Sequence, residues 1–74
     1  MVKIDKEKFK NCKGYSIILR PDFGKSPSIE VDCIKKVYVD DEDYISSVDY
    51  VNPYTFRSHW CYGHQVDDIL YKFD

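Results

Sequence analysis

Arg57, Ser58, His59, Cys61 and His64 lie within a stretch of eight residues, and side chains of these types can support three kinds of chemistry. Cysteine and histidine are zinc ligands, and a small domain gains stability from a metal staple. A cysteine beside a histidine becomes a nucleophile once the imidazole takes the thiol proton. An arginine and a histidine two positions apart project from the same face of a strand. With Tyr44 or Tyr62 beside them, they could cleave RNA by acid–base chemistry with charge stabilisation on the phosphate. Each set is incomplete. There is no Cys-x-x-Cys pair, and His64 stands beyond Gly63 while His59 and Cys61 share a strand face. Cys12 and Cys33 read as small core hydrophobes. No catalytic residue, metal or cofactor is assigned.

Two further motifs fail at specific positions. Gly24-Lys25-Ser26 has the ending of a phosphate-binding loop, but Leu19 stands where its first glycine is required, and a proline-containing segment follows instead of a helix. The acidic run Asp40-Asp41-Glu42-Asp43 has no calcium-loop spacing. Counting from Asp40, Ile45 replaces the obligatory glycine and Val51 the bidentate glutamate. The run reads as a charged turn.

The elements that must position these residues follow from periodicity. Asp5 suits a helix N-cap, Ile4 and Phe9 suit a hydrophobic staple across it, and Gly14 suits a stop, which predicts a helix over about residues 5–13. Tyr15 to Arg20 is short, apolar and partly β-branched, and reads as a strand closed by Pro21. The stretch from Pro21 to Ser28 concentrates loop residues. Ile29 to Val39 alternates, falters at Ile34-Lys35-Lys36 and resumes. It reads as a strand in which Lys35 marks an edge or a bulge. Tyr44 to Val51 and Thr55 to Tyr62 read as two more strands across an Asn52-Pro53 turn. In the tail, Val66, Ile69, Leu70 and Phe73 have the i, i+3, i+4, i+7 spacing of an amphipathic helix, with Asp67, Asp68 and Lys72 placed to suit its dipole. The predicted fold is a single α+β domain over residues 1–74. It is a four-stranded antiparallel meander with a short N-terminal helix and a C-terminal amphipathic helix, in the order α-β-β-β-β-α.

Composition narrows the function classes. The 74 residues carry 13 acidic and 11 basic side chains, a net charge of −2. That argues against direct nucleic-acid binding, which draws its affinity from Lys and Arg on phosphates. The charges are also segregated. Residues 3–13 hold five lysines against two acids, and residues 40–74 hold eight acids against Arg57 and Lys72. Three widely spaced cysteines do not suggest a disulfide framework, and no stretch has the length and apolarity of a signal peptide or membrane span. The expected compartment is the cytoplasm, with no membrane partner.

Seven tyrosines and one tryptophan exceed what so small a core should hold, and both types favour interfaces, where a rigid apolar body carries a polar tip. Tyr50, Tyr54, Phe56, Trp60 and Tyr62 are all even-numbered, so Val48 to His64 reads as strand with one aromatic face. Helices on one side of the sheet need an apolar partner. The aromatic face is therefore expected inward, with Phe56 and Trp60 buried and Thr55, Arg57 and His59 on the open side.

The leading reading is a small non-enzymatic protein-binding module. Its predicted surface comprises Asp40, Asp41, Glu42, Asp43, Tyr44, Tyr50, Tyr54, Arg57, His59 and Tyr62. Carboxylates on a rigid sheet can occupy a basic nucleic-acid-binding surface of another protein and gain from electrostatic steering. Short, compact, acidic at one end and without a catalytic motif, the chain resembles in type the small inhibitors of phages and mobile elements, including anti-CRISPR proteins. That likeness implies a nucleic-acid-binding enzyme as partner. The second reading is a ribonuclease using Arg57 and His59. The α-β-β-β-α portion and the Arg57-Ser58-His59 triplet resemble small toxin ribonucleases with a double-stranded-RNA-binding-like fold. In that family, however, the histidine lies on an early strand and the surface is basic. The third reading is a zinc-stapled or self-associating structural protein, including a homodimer.

Overall fold

The computed structural model describes residues 1–21 and 25–74; Gly24 of the phosphate-loop-like triplet lies outside them. The described residues form six strands in two three-stranded antiparallel sheets. Strands β1 (Gly14–Leu19), β2 (Ile29–Val31) and β6 (Val66–Lys72) form one sheet, in the order β2-β1-β6. Strands β3 (Ile34–Val39), β4 (Ile45–Val51) and β5 (Ser58–Tyr62) form the other, in the order β3-β4-β5. The chain passes between sheets at two corners. One is Asp32-Cys33, which splits the predicted second strand into β2 and β3; the other is a 3-10 turn at Gly63–Gln65. The four-stranded meander and C-terminal helix expected from sequence are therefore replaced by two sheets and one short helix.

The only α-helix among the described residues is α1 (Lys6–Asn11), shorter than predicted and with no buried residue. Asp5 caps it, its carboxylate accepting the Lys8 N–H at 3.1 Å. Ahead of the cap, the chain pairs with the start of β4. Ile4 N–H donates to Asp43 O at 2.8 Å, and Ile45 N–H donates to Val2 O at 2.9 Å. A six-residue helix cannot cover a sheet face, so the second sheet supplies the opposing layer. The core is drawn from both: Ile17, Leu19, Val31, Val66 and Ile69 from one sheet, and Ile45, Val48, Tyr50 and Cys61 from the other. Burying each of the larger aliphatic side chains contributes about 2 kcal/mol.

The tail is a strand because of a bulge that imitates a helical stripe. Strand β6 pairs with β1 through Ile17↔Ile69, Ile18↔Asp68 and then Leu19↔Val66, which leaves Asp67 as the extra residue. That residue shifts the parity, so Val66 and Ile69, three apart, both reach the core. Leu70 and Phe73, which would complete a helix face, are exposed instead. Arg20 Nε pairs with the Asp67 carboxylate at 2.8 Å, and the Ser28 hydroxyl donates to it at 3.0 Å, so the bulge also anchors both flanks of the β1–β2 loop.

Strand β5 reverses the second expectation. Its register on β4 runs Val48↔Cys61, Asp49↔Trp60 and Tyr50↔His59. Even-numbered residues of β4 therefore share a face with odd-numbered residues of β5. Tyr50 is buried at 5% exposure, while Trp60 on the next strand is 58% exposed. Phe56, in the connecting turn with a positive φ of 59°, is 82% exposed. Aromatic burial at Phe56 and Trp60 is thus corrected to aromatic exposure. The inner face of β5 needs only Cys61, because the opposing layer is a second sheet and not a helix.

Candidate functional site

The outer face of the β3–β4–β5 sheet is built from two cross-strand rows, Tyr38–Ser47–Tyr62 and Lys36–Asp49–Trp60. Trp60 and Tyr62 are two apart on β5 and meet edge-to-face at 4.8 Å between ring centroids. His64, in the 3-10 turn, stacks on Tyr62 at 5.4 Å. The Tyr38 hydroxyl donates to the Asp49 carboxylate at 3.1 Å, and Lys36 Nζ lies 4.9 Å from the Tyr38 ring centroid. The bond to Asp49, and then the charge of that carboxylate, raise the Tyr38 phenol above its ordinary pKa. Lys35, at the β3 register shift, donates to the Ser58 hydroxyl at 2.6 Å. These contacts hold the aromatic rings and the charged groups in one rigid arrangement while leaving Trp60 and Tyr62 at 58% and 47% exposure.

The acidic turn joins β3 to β4, next to the Tyr38–Ser47–Tyr62 row. The Asp40 carboxylate accepts the N–H groups of Glu42 and Tyr44 at 2.9 and 3.0 Å, so it shapes the turn. Asp43 has a φ of 69° and pairs with Lys6 at 3.5 Å. Asp41 and Glu42 are exposed and form no ion pair among the described residues. Tyr44 is half-buried, with Lys3 Nζ 5.5 Å from its ring centroid.

The remaining sequence-selected residues gather at the other end of β4, about 20 Å of strand away. Asn52 Oδ1 accepts the N–H groups of Tyr54 and Thr55 and so closes the turn into β5. Tyr54 and Arg57 are exposed. His59 stacks on the buried Tyr50 at 6.0 Å, and its Nε2 lies 3.4 Å from Thr55 Oγ1. Tyr50, Asn52, Tyr54, Thr55 and His59 line a cleft of about 550 Å³ together with Ile29, Trp60, Tyr62 and Gln65, and Arg57 stands outside that lining. The structure thus places Tyr62 both in the row beside the acidic turn and in the cleft lining, sets Tyr50, Tyr54 and His59 in that lining, and leaves Arg57 just ahead of β5. Sequence reasoning missed Tyr38, Asp49 and Trp60 as surface groups. The odd register sum across the β4–β5 turn would have found Trp60, but it depends on turn length, and no primed-turn glycine announces that length.

Burial, and then the Asp49 charge, push the Cys61 thiol from its ordinary 9.0 to about 11, which opposes nucleophilic use. No hydrogen bond joins His59 to Arg57, and no three His, Cys, Asp or Glu side chains converge as a metal site among the described residues. No helix among them is long and apolar enough to cross a membrane. Comparison with protein-family models, with curated proteins and with solved structures finds no match.

Proposed function

We propose that this chain is a non-enzymatic protein-binding module that engages its partner through the outer face of the β3–β4–β5 sheet and the acidic turn beside it. The observation that carries the reading is Trp60. It is a large aromatic residue on a hydrogen-bonded strand, supported edge-on by Tyr62 and exposed at 58%. Exposed, rigid tryptophan and tyrosine are the residue types that dominate binding energy at protein interfaces, because they bury much area at small entropic cost. Asp41 and Glu42 add charge at the rim, which speeds and orients encounter with a basic surface. A nucleic-acid-binding enzyme of the cytoplasm presents such a surface, and occupying it is how a small inhibitor of the phage or mobile-element type would act. Affinity capture from the native host with wild type and Trp60→Ala as parallel baits tests the reading. A partner retained by the wild type and lost with the variant supports it. Identical recovery by both baits removes this face.

A further inference from the structure

The cleft beside β5 has a property that the outer face lacks: it exposes backbone. His59, Trp60, Cys61 and Tyr62 are consecutive, and all four line it. Successive side chains of a strand point to opposite faces, so a cleft touched by four in a row runs along the strand's edge. Among the described residues strand β5 is an edge of its sheet, pairing with β4 alone. The hydrogen-bond phase is also defined. Asn52 N–H donates to Arg57 O at 2.9 Å, which sets the phase so that the amides of His59 and Cys61 face β4. The amides of Ser58, Trp60 and Tyr62 therefore face the other way. Tyr62 confirms the phase, because its N–H is taken by Gln65 Oε1 at 3.0 Å. The N–H and C=O groups of Ser58 and Trp60 are left to offer a new strand.

We infer that this edge is a strand-addition site for an acidic segment of another protein in extended conformation. Strand addition supplies main-chain hydrogen bonds, and alternate side chains of the incoming segment enter the adjoining pocket. Here the pocket walls are Ile29, Tyr50, Tyr54 and His59, which suit apolar side chains at every second position. Charge complementarity selects the intervening positions. Lys35 Nζ, on the Ser58 hydroxyl, lies on the face opposite His59, and Arg57, just ahead of β5, adds a second cation that forms no ion pair among the described residues. Asp49, opposite Trp60 in the register, accepts the Tyr38 hydroxyl, and Asp67 pairs with Arg20. A polypeptide fits better than a nucleic acid because the edge offers alternating backbone donors and acceptors. Two cations in a chain of net charge −2 also supply little counterion release. The site uses the backbone of Trp60 where the proposed function uses its ring, so methylation of the peptide amides tests this edge and Trp60→Ala tests that face, and the two failures are distinguishable.

The test is a two-dimensional amide NMR titration of the full chain. The probes are capped heptapeptides alternating glutamate with valine, isoleucine or tyrosine, their lysine counterparts, and an octamer of deoxythymidine. The glutamate peptides are expected to shift the amides of Ser58 and Trp60. N-methylation of one alternate set of peptide amides should cost at least about tenfold in affinity, the value of one lost hydrogen bond, and methylation of the other set should cost much less. Arg57→Glu should reverse the preference toward the lysine peptides, while Asp41→Lys should leave glutamate-peptide binding to the edge in place. No shift from any glutamate peptide at about 1 mM, the weak end of specific recognition, would overturn the inference. Equal losses from both methylated sets, or tighter binding of the oligonucleotide at the same amides, would also overturn it.

Discussion

Gly63→Ala examines the fold at the corner where β5 turns into β6. A Cβ built on Gly63 would stand 1.8 Å from Ile45 O and 2.7 Å from Ile45 C, with Ser46 C at 3.2 Å. All three are backbone atoms of β4, so no flexible side chain can swing aside. Ordinary contact needs well over 3 Å, so the turn must lift off β4 by more than 1 Å or β4 must give way. Either movement disturbs the packing of Ile45 and Cys61, both buried. Overpacking of a tight site costs about 1–3 kcal/mol, and loosening this corner adds to it, so a loss of about 3 kcal/mol or more is expected. A domain of this size has about 4–11 kcal/mol in all. Urea unfolding followed by Trp60 fluorescence measures the difference directly. A loss below about 1 kcal/mol with an unchanged denaturant slope would mean that the 3-10 turn does not lie against β4.

Further expectations follow from the strand assignment and the buried thiol. Ile69→Ala should cost about 2–4 kcal/mol and Leu70→Ala well under 1; equal costs in thermal unfolding would restore the helical reading of the tail. In the folded protein Cys61 should react with a thiol-exchange reagent far more slowly than exposed Cys33, and comparable rates would contradict its burial. Below pH 9 the Cys61 thiol is protonated in both folded and unfolded chains. Its raised folded pKa then makes stability fall as pH rises from 9 through 11, and the difference between wild-type and Cys61→Ala pH profiles should isolate that loss.

Local signals were legible in the sequence where one residue fixes one contact. Asp5 is the cap it was read to be, and Lys35 lies both on an edge strand and at a register shift. Parity-dependent assignments failed where parity is set by something non-local. The extra residue Asp67 in β6 turned strand spacing into an apparent helical stripe. The β4–β5 turn reversed which aromatics face inward, so Tyr50 fills the core and Trp60 leaves it. A sheet opposite a sheet also asks less bulk of each inner face than a helix would, which no local pattern states. The same error divided the predicted binding set, leaving Asp40 to Tyr44 at one end of β4 and Tyr50, Tyr54 and His59 at the other, with Tyr62 on β5 beside both.

The central claim is that Trp60 anchors a protein partner. Isothermal titration of the captured partner into wild-type chain and into Trp60→Ala tests it most directly, with unfolding curves recorded on both. The expected result is a loss of binding of at least about 2 kcal/mol, roughly thirtyfold in affinity, with folding stability within about 0.5 kcal/mol of wild type because the side chain is exposed. Unchanged affinity, or a loss of stability as large as the loss of binding, would contradict it.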